Sequence, residues 1–335
     1  MSSLPFLRWS LAIAVCAVLL GLASCNEDCA TCPTCNTNPT GWRAFEPSPT
    51  TRNLQDVFAV NASIVYAAGD SGTVLKTTNG GATWTVLDVP TEESLSSMFF
   101  TSADTGWVVG RSNVILKTTD GGGSWEAQTG GDPTTLRGAW FVDSGTGWIC
   151  GGPAAGEPGT ATILKTTNGG DNWTPQYTDG RANEVFFLDR NTGFVIFSGP
   201  ILWKTIDGGD TWTEHDTGAT SWLSDVFFID SDTGWVCGGG GYMAKSTDGG
   251  DTWAPKTTAT TRNLRDVYFF DRDTGWFVGA VGTIAKTTNG GDLWMYRTSP
   301  TSSNLANMAW VDTRTGWIVG NNGVILKTVT GGEPE

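Results

Sequence analysis

The chain has 335 residues, with 34 acidic against 20 basic side chains, a formal net charge of −14 and a single histidine, His215. That balance argues against a nucleic-acid partner, which demands a basic footprint, and one histidine leaves almost no room for His-based catalysis or a multi-histidine metal site. The 45 Gly and 17 Trp, without a collagen triplet, call for many tight turns between short strands.

The first element is a targeting segment. Arg8 precedes an apolar run, Leu11 to Ala23, that is too short for a comfortable membrane span. The run ends in Leu22-Ala23-Ser24-Cys25, which resembles the lipobox of bacterial lipoproteins. That resemblance implies a signal peptide over residues 1–24, cleavage before Cys25, and acylation of the Cys25 thiol. The mature protein is then expected to be exported and tethered to a membrane on its non-cytoplasmic side. Cys29, Cys32 and Cys35 follow in a Cys-rich tether, residues 25–40. C-x2-C-x2-C is a spacing used by thiolate metal and iron–sulfur sites. With Cys25 acylated the fourth ligand is missing, so disulfides within the tether or between molecules are expected, and no metal or cofactor is assigned. Cys150 and Cys237 sit in WICGG and WVCGG and read as small buried hydrophobes.

From residue 41 onward the chain repeats itself. LKTTNGGATW from Leu75 returns six times, at motif lysines Lys76, Lys117, Lys165, Lys204, Lys245, Lys286 and Lys327. The gaps are 41, 48, 39, 41, 41 and 41 residues, the long one holding the insert PAAGEPGTAT after Gly152. A period of about 40–45 residues suits a four-stranded propeller blade. In the sixth unit LRDVYFF, WFVGA, GTIAKTT and DLWMYRT read as four strands, with Asn-Gly supplying a hairpin turn. The seventh copy, LKTVTGGEPE, ends before its fourth strand, and TGWRAFEP near the N-terminus looks like the missing piece. The expectation is an all-β, seven-bladed propeller over residues 41–335, closed by pairing of Thr40 to Phe45 with the last blade.

Thr77, Asn79, Gly81, Thr83 and Trp84 fit the Asp-box pattern S/T-x-D/N-x-G-x-T/S-W. Its carboxylate or amide is expected to bond backbone two residues on, as in an Asx-turn, so the motif is structural in the first instance. A second repeat, TGW-x-x-G, appears in every unit but the first, where SIVYAAG replaces it, with a TGF variant in the fourth. The combination LxxVxF, TGWxVG, ILKTTDGG and TW resembles the photosystem II stability/assembly factor family of BNR-repeat propeller lipoproteins, over Gly41 to Gly332. The resemblance implies a non-catalytic propeller that binds a newly made membrane-protein subunit, through arginines on one face.

Arg52, Arg137, Arg181, Arg262 and Arg265 lie in or just after the connections that cross one face from blade to blade. They form the candidate partner-binding rim, because loops on a rigid scaffold collect function. Solvated loop ends, or pairing with Asp56, Glu184, Asp225 and Asp266 at the start of the inner strands, would account for the same residues structurally. On the opposite face Asp189, Asp230, Asp271 and Asp312 read as turn residues. Inner-strand aromatics such as Phe99, Phe186, Phe227, Phe269 and Trp310 are expected to pack between blades. The alternative functions are a carbohydrate-binding or adhesive propeller and, further behind, a sialidase-like hydrolase. The hydrolase needs a tyrosine nucleophile, and none of Tyr66, Tyr177, Tyr242, Tyr268 and Tyr296 has a recognisable setting for one.

Overall fold

The structure, a computed structural model, describes residues 41–130, 135–153, 162–177, 181–197 and 199–334. The signal peptide, Cys25 and the tether cysteines Cys29, Cys32 and Cys35 lie outside the described residues, as does most of the insert after Gly152. Among the described residues, 28 strands form seven antiparallel four-stranded sheets, one per repeat. The innermost strands are Leu54–Ala59, Leu95–Phe100, Thr135–Phe141, Ala182–Phe187, Leu223–Phe228, Leu264–Phe269 and Leu305–Trp310. They head blades 1 to 7 in that order.

The second strand of each blade is the most buried, and its TGW motif explains why. In blade 3 the Trp148 ring lies flat on Phe187 of the next blade, centroids 3.5 Å apart, and Trp235 stacks on Phe269 in the same way. Tyr66 takes this place in blade 1, 3.9 Å from Phe100, so the repeat that lacks TGW keeps the contact. The motif glycine makes room for an aromatic side chain of its own sheet: a Cβ on Gly147 would fall 2.3 Å from the Phe141 ring. Six of the seven repeat lysines then reach over the tryptophan or tyrosine of their own blade toward the hairpin of the next; in blade 4, where Phe194 takes the ring's place, Lys204 pairs with Asp251 at 2.7 Å. Lys76 Nζ donates to Gly121 O at 2.7 Å while lying over Tyr66, and Lys286 pairs with Glu333 at 2.7 Å over Trp276. Blades are therefore joined by ring stacking in the core and by lysine at the rim.

The N-terminal segment closes the ring. Arg43–Ala44 is the fourth strand of the last blade, with Arg43 opposite Lys327 and Ala44 opposite Leu326. Phe45 N–H donates to Ile325 O at 2.9 Å, extending the pairing. Trp42 is 1% exposed and packs edge-on against Trp276 and Trp310, at 5.8 and 5.4 Å. Thr40, at the start of the expected closing segment, lies outside the described residues.

The Asp-boxes are structural, by a bond different from the one expected. Asp248 Oδ1 accepts from Thr252 N–H, four residues on, at 2.9 Å, and Ser246 Oγ donates to the same oxygen while accepting from Gly250 N–H at 2.8 Å. The same i to i+4 pattern holds at Asn79, Asp120, Asn168, Asp207 and Asn289. The wider loop arises because two successive left-handed glycines, Gly249 and Gly250, follow the carboxylate and carry the chain back over it. On the same face the acidic turn residues accept from N–H groups two and three residues on. Arg272 links its turn to Asp230 at 2.9 Å, and Arg190 links to Asp143 at 2.9 Å.

Candidate functional site at the channel mouth

Every inner strand carries a β-bulge near its start, between Leu54 and Asp56 in blade 1 and at the matching place in the other six. A bulge inserts one unpaired residue and re-aims its neighbours. The inserted residues are Gln55, Ser96, Arg137, Asn183, Ser224, Arg265 and Ala306, and all seven line one cavity of about 860 Å³ at the channel mouth. One residue deeper stands the ring of Asp56, Ser97, Gly138, Glu184, Asp225, Asp266 and Asn307. Two residues below that come Phe58, Phe99, Trp140, Phe186, Phe227, Tyr268 and Ala309, and these two rings enclose a narrower cavity of about 430 Å³.

The acidic ring is a belt of hydrogen bonds. Asp56 accepts from its own neighbour Val57 N–H at 2.8 Å and from Met98 N–H of the next blade at 2.6 Å. Asp225 does the same with Val226 and Val267, and Asp266 accepts from Met308 at 2.5 Å. These three carboxylates thus clip blade 1 to 2, 5 to 6 and 6 to 7, and no ion pair with an arginine forms there among the described residues. The expected pairing of these acids with the rim arginines is corrected: backbone N–H groups hold them instead. The reason is the bulge, which turns the acids inward against the neighbouring strand while the arginines face the mouth. Burial pushes the Asp56 carboxyl up to about 7 and the Glu184 carboxyl well above the usual range. Asp225 is raised by burial, and Asp266 by burial and then by the facing charge of Asp225.

The inner-strand aromatics divide between two registers. Phe99, Phe186 and Phe227 line the channel, in a chain of ring contacts 4.6–5.8 Å apart that runs from Phe58 through Trp140 to Tyr268. Phe269 and Trp310 instead stack between blades, on Trp235 and Trp276. The tyrosine hydroxyls of Tyr66, Tyr242 and Tyr296 donate to backbone carbonyls of Gly121, Thr217 and Thr258. Cys150 and Cys237 are free, fully buried thiols.

Three of the five rim arginines, Arg137, Arg181 and Arg265, line the mouth cavity. Arg52 and Arg262 are exposed on the turns outside it, and the Arg262 guanidinium donates to Val281 O and to Thr283 Oγ1. Arg111, which the strand-connection argument missed, lines the mouth from the loop between the second and third strands of blade 2. Its signal was available: Arg111 directly follows the TGWVVG strand, whose far end must come up at the same face. Arg137 is pulled down to about 10, first by burial and then by the charges of Arg181 and Arg111. Its Nη1 donates to Thr135 O and Gly152 O at 2.9 and 3.2 Å. The acid that lines this cavity, Asp70, is held by the amides of Asn53 and Gln55, at 2.9 and 3.3 Å.

Seven blades, six of them with an Asp-box, around a layered channel with an arginine-bearing mouth define a class, the BNR-repeat propellers. The sequence profile described as "Photosynthesis system II assembly factor YCF48" matches residues 82–181 and 255–334, and the chain belongs to that family. No curated protein sequence matches significantly. Among solved structures, "YCF48 bound to D1 peptide" is similar at 22% identity and TM-score 0.74, covering 88% of this chain and 96% of that one. YCF48 from Cyanidioschyzon merolae is similar at 22% identity and TM-score 0.71, covering 86% and 98%. A virginiamycin B lyase from Staphylococcus aureus reaches TM-score 0.72 at 14% identity, covering 86% and 99%. At these identities the likenesses establish the fold, and the lyase shows that this fold also carries enzymes.

Proposed function

We propose that the chain is a non-catalytic assembly factor whose mouth takes an acidic segment of a protein partner. The observation that carries this is the cluster of Arg111, Arg137 and Arg181. The three guanidinium groups are close enough for two of them to depress the third, and among the described residues none is ion-paired with a carboxylate. In a chain of net charge −14, a mouth of unneutralised arginines draws in and holds anionic groups. Guanidinium offers paired hydrogen bonds to carboxylate, which favours an acidic side chain or a chain terminus. The similar YCF48 structure holds a D1 peptide, which supports a segment of a membrane-protein subunit as the ligand class. Arg265 completes the collar, and Arg52 and Arg262 on the outer turns would meet a longer segment. The division into a signal peptide (1–24), a tether lipidated at Cys25 (25–40) and the propeller (41–335) belongs to this proposal. It would keep the mouth at a membrane surface on the non-cytoplasmic side, where such subunits are exposed.

The test uses a labelled peptide with two acidic residues and a free C-terminal carboxylate. Wild-type protein is expected to bind it with an affinity that falls as salt rises. The Arg111→Gln/Arg181→Gln variant is expected to lose at least tenfold in affinity with the melting temperature unchanged. Arg137 is spared there because it also holds its own blade. Equal affinity in the two proteins would overturn the proposal.

A further inference from the structure

The residue two positions before each bulge residue forms a column around the mouth: Asn53, Ser94, Thr135, Arg181, Trp222, Asn263 and Asn304. The three asparagines have a structural task. Asn53 Oδ1 accepts from Asn322 N–H at 3.0 Å, Asn263 Oδ1 from Gly240 N–H at 3.0 Å, and Asn304 Oδ1 from Val281 N–H at 2.9 Å. Each one pins the loop of the preceding blade. In blade 5 that place is held by Trp222, which has no such acceptor. Its ring instead joins the wall of the mouth cavity, half-buried, with the Arg265 guanidinium over it at 5.1 Å.

The local backbone is built to present that ring. Trp222 O accepts from Gly239 N–H at 2.9 Å, so the main chain is held as in the other blades. A Cβ on Gly239 would come within 3.0 Å of the Trp222 indole, so the bare glycine is what lets the ring rest against this loop. Around the mouth, blades 2 to 4 thus supply Arg111, Arg137 and Arg181, while blade 5 supplies an aromatic surface braced by an arginine from blade 6. Tryptophan and arginine are the side chains that most often carry binding energy, because a rigid ring contributes large area at low entropic cost.

We infer that Trp222 is the apolar anchor of the mouth: it takes an aliphatic or aromatic side chain of the bound segment, lying within a few residues of the acidic group that the arginines hold. This rests on the partner-binding reading and narrows the ligand to an extended segment that combines an acidic end with an apolar residue.

Four sets of labelled six-residue peptides separate the two ideas: Gly/Ser only, acidic at the C-terminal end, leucine at one of four placements without acid, and both together. Wild-type protein is expected to bind the best combined peptide at least tenfold more tightly than the acidic one. Trp222→Ala should erase that preference while leaving the acidic peptide's affinity within twofold, and Trp222→Phe should keep most of it. Arg111→Gln/Arg181→Gln should weaken acidic and combined peptides alike and leave the leucine preference standing. A leucine preference that survives Trp222→Ala, or no preference at any placement, overturns the anchor while leaving the acidic-segment reading intact. Binding of leucine peptides through Trp222 with no response to acid would uphold the anchor and overturn that reading. Loss of all binding in wild type would overturn both. Melting temperatures within 2 °C of wild type exclude a folding defect, and Trp222→Asn, which puts the residue of blades 1, 6 and 7 at this place and should likewise erase the leucine preference, carries the test if Trp222→Ala fails to fold.

Discussion

Replacing Asp56 by Asn tests whether the channel belt is held at the expense of ionisation. In the folded state burial lifts this carboxyl to about 7, against an ordinary value of 3.8. Below about pH 4 both states are protonated. Between about pH 4 and 7 the unfolded chain has released the proton and the folded chain keeps it, so stability falls as pH rises and levels off above 7. At about 1.36 kcal/mol per pH unit, Asp56 alone removes about 4 kcal/mol across that window. Asparagine does not titrate. It keeps one acceptor for Val57 or Met98 N–H and turns an amide toward the other, a loss of about 1–3 kcal/mol. The variant is therefore expected to be less stable than wild type near pH 4.5 and more stable at pH 8, with the two curves crossing between. Glu184, Asp225 and Asp266 shift in the same direction, so wild type declines more steeply than Asp56 alone requires, and only the difference between the curves isolates this residue. The Asp-box carboxylates Asp120, Asp207 and Asp248 are held down at about 2 by their Ser and Thr partners. Their contribution is lost only as pH falls below about 4, outside the window. Thermal midpoints from pH 4.5 to 8 measure the effect, at about 2 °C per kcal/mol for a chain of this size. Parallel curves for variant and wild type would refute the reasoning, because they would mean that Asp56 ionises in the folded protein as freely as in the unfolded one.

Further outcomes follow from other parts of the molecule. Trp42→Ala should cost about 3–5 kcal/mol, because the ring lies between Trp276 and Trp310 at the closure, and deleting residues 26–46 should expose a sheet edge and lower solubility; melting like the parent would contradict closure by this strand. Ser246→Ala leaves the buried Gly250 N–H without its acceptor and should cost about 1–3 kcal/mol, read by thermal denaturation, with peptide binding at the mouth unchanged. Cys25→Ser should move the exported protein from the detergent phase to the aqueous phase; equal aqueous partitioning of both proteins would remove the lipid anchor.

The number of blades, their four-strand build and the site of closure were legible in the sequence because they rest on short-range regularities. A hairpin needs Asn-Gly or Asp-Gly between two strand-like runs, and the truncated seventh repeat has a complementary fragment at the other end of the chain. What the sequence could not convey is where a side chain points once a strand departs from plain alternation. The bulge after Leu54 and its six equivalents leaves no mark in composition, yet it turns Asp56, Asp225 and Asp266 toward the backbone of the next blade and leaves the arginines free. Strand connections pointed to Arg137, Arg181 and Arg265 but also to Arg52 and Arg262, which face outward, and they passed over Arg111, which arrives from a loop of a different kind. Trp222 stood unremarked among 17 tryptophans. Its meaning comes from a column of residues about 41 positions apart in the chain that only ring closure sets side by side. Local hydrogen bonding and apolar periodicity act within a few residues and are written in order along the chain. The mouth is assembled from all seven blades, and its chemistry is decided by register and curvature that exist only once the ring is closed.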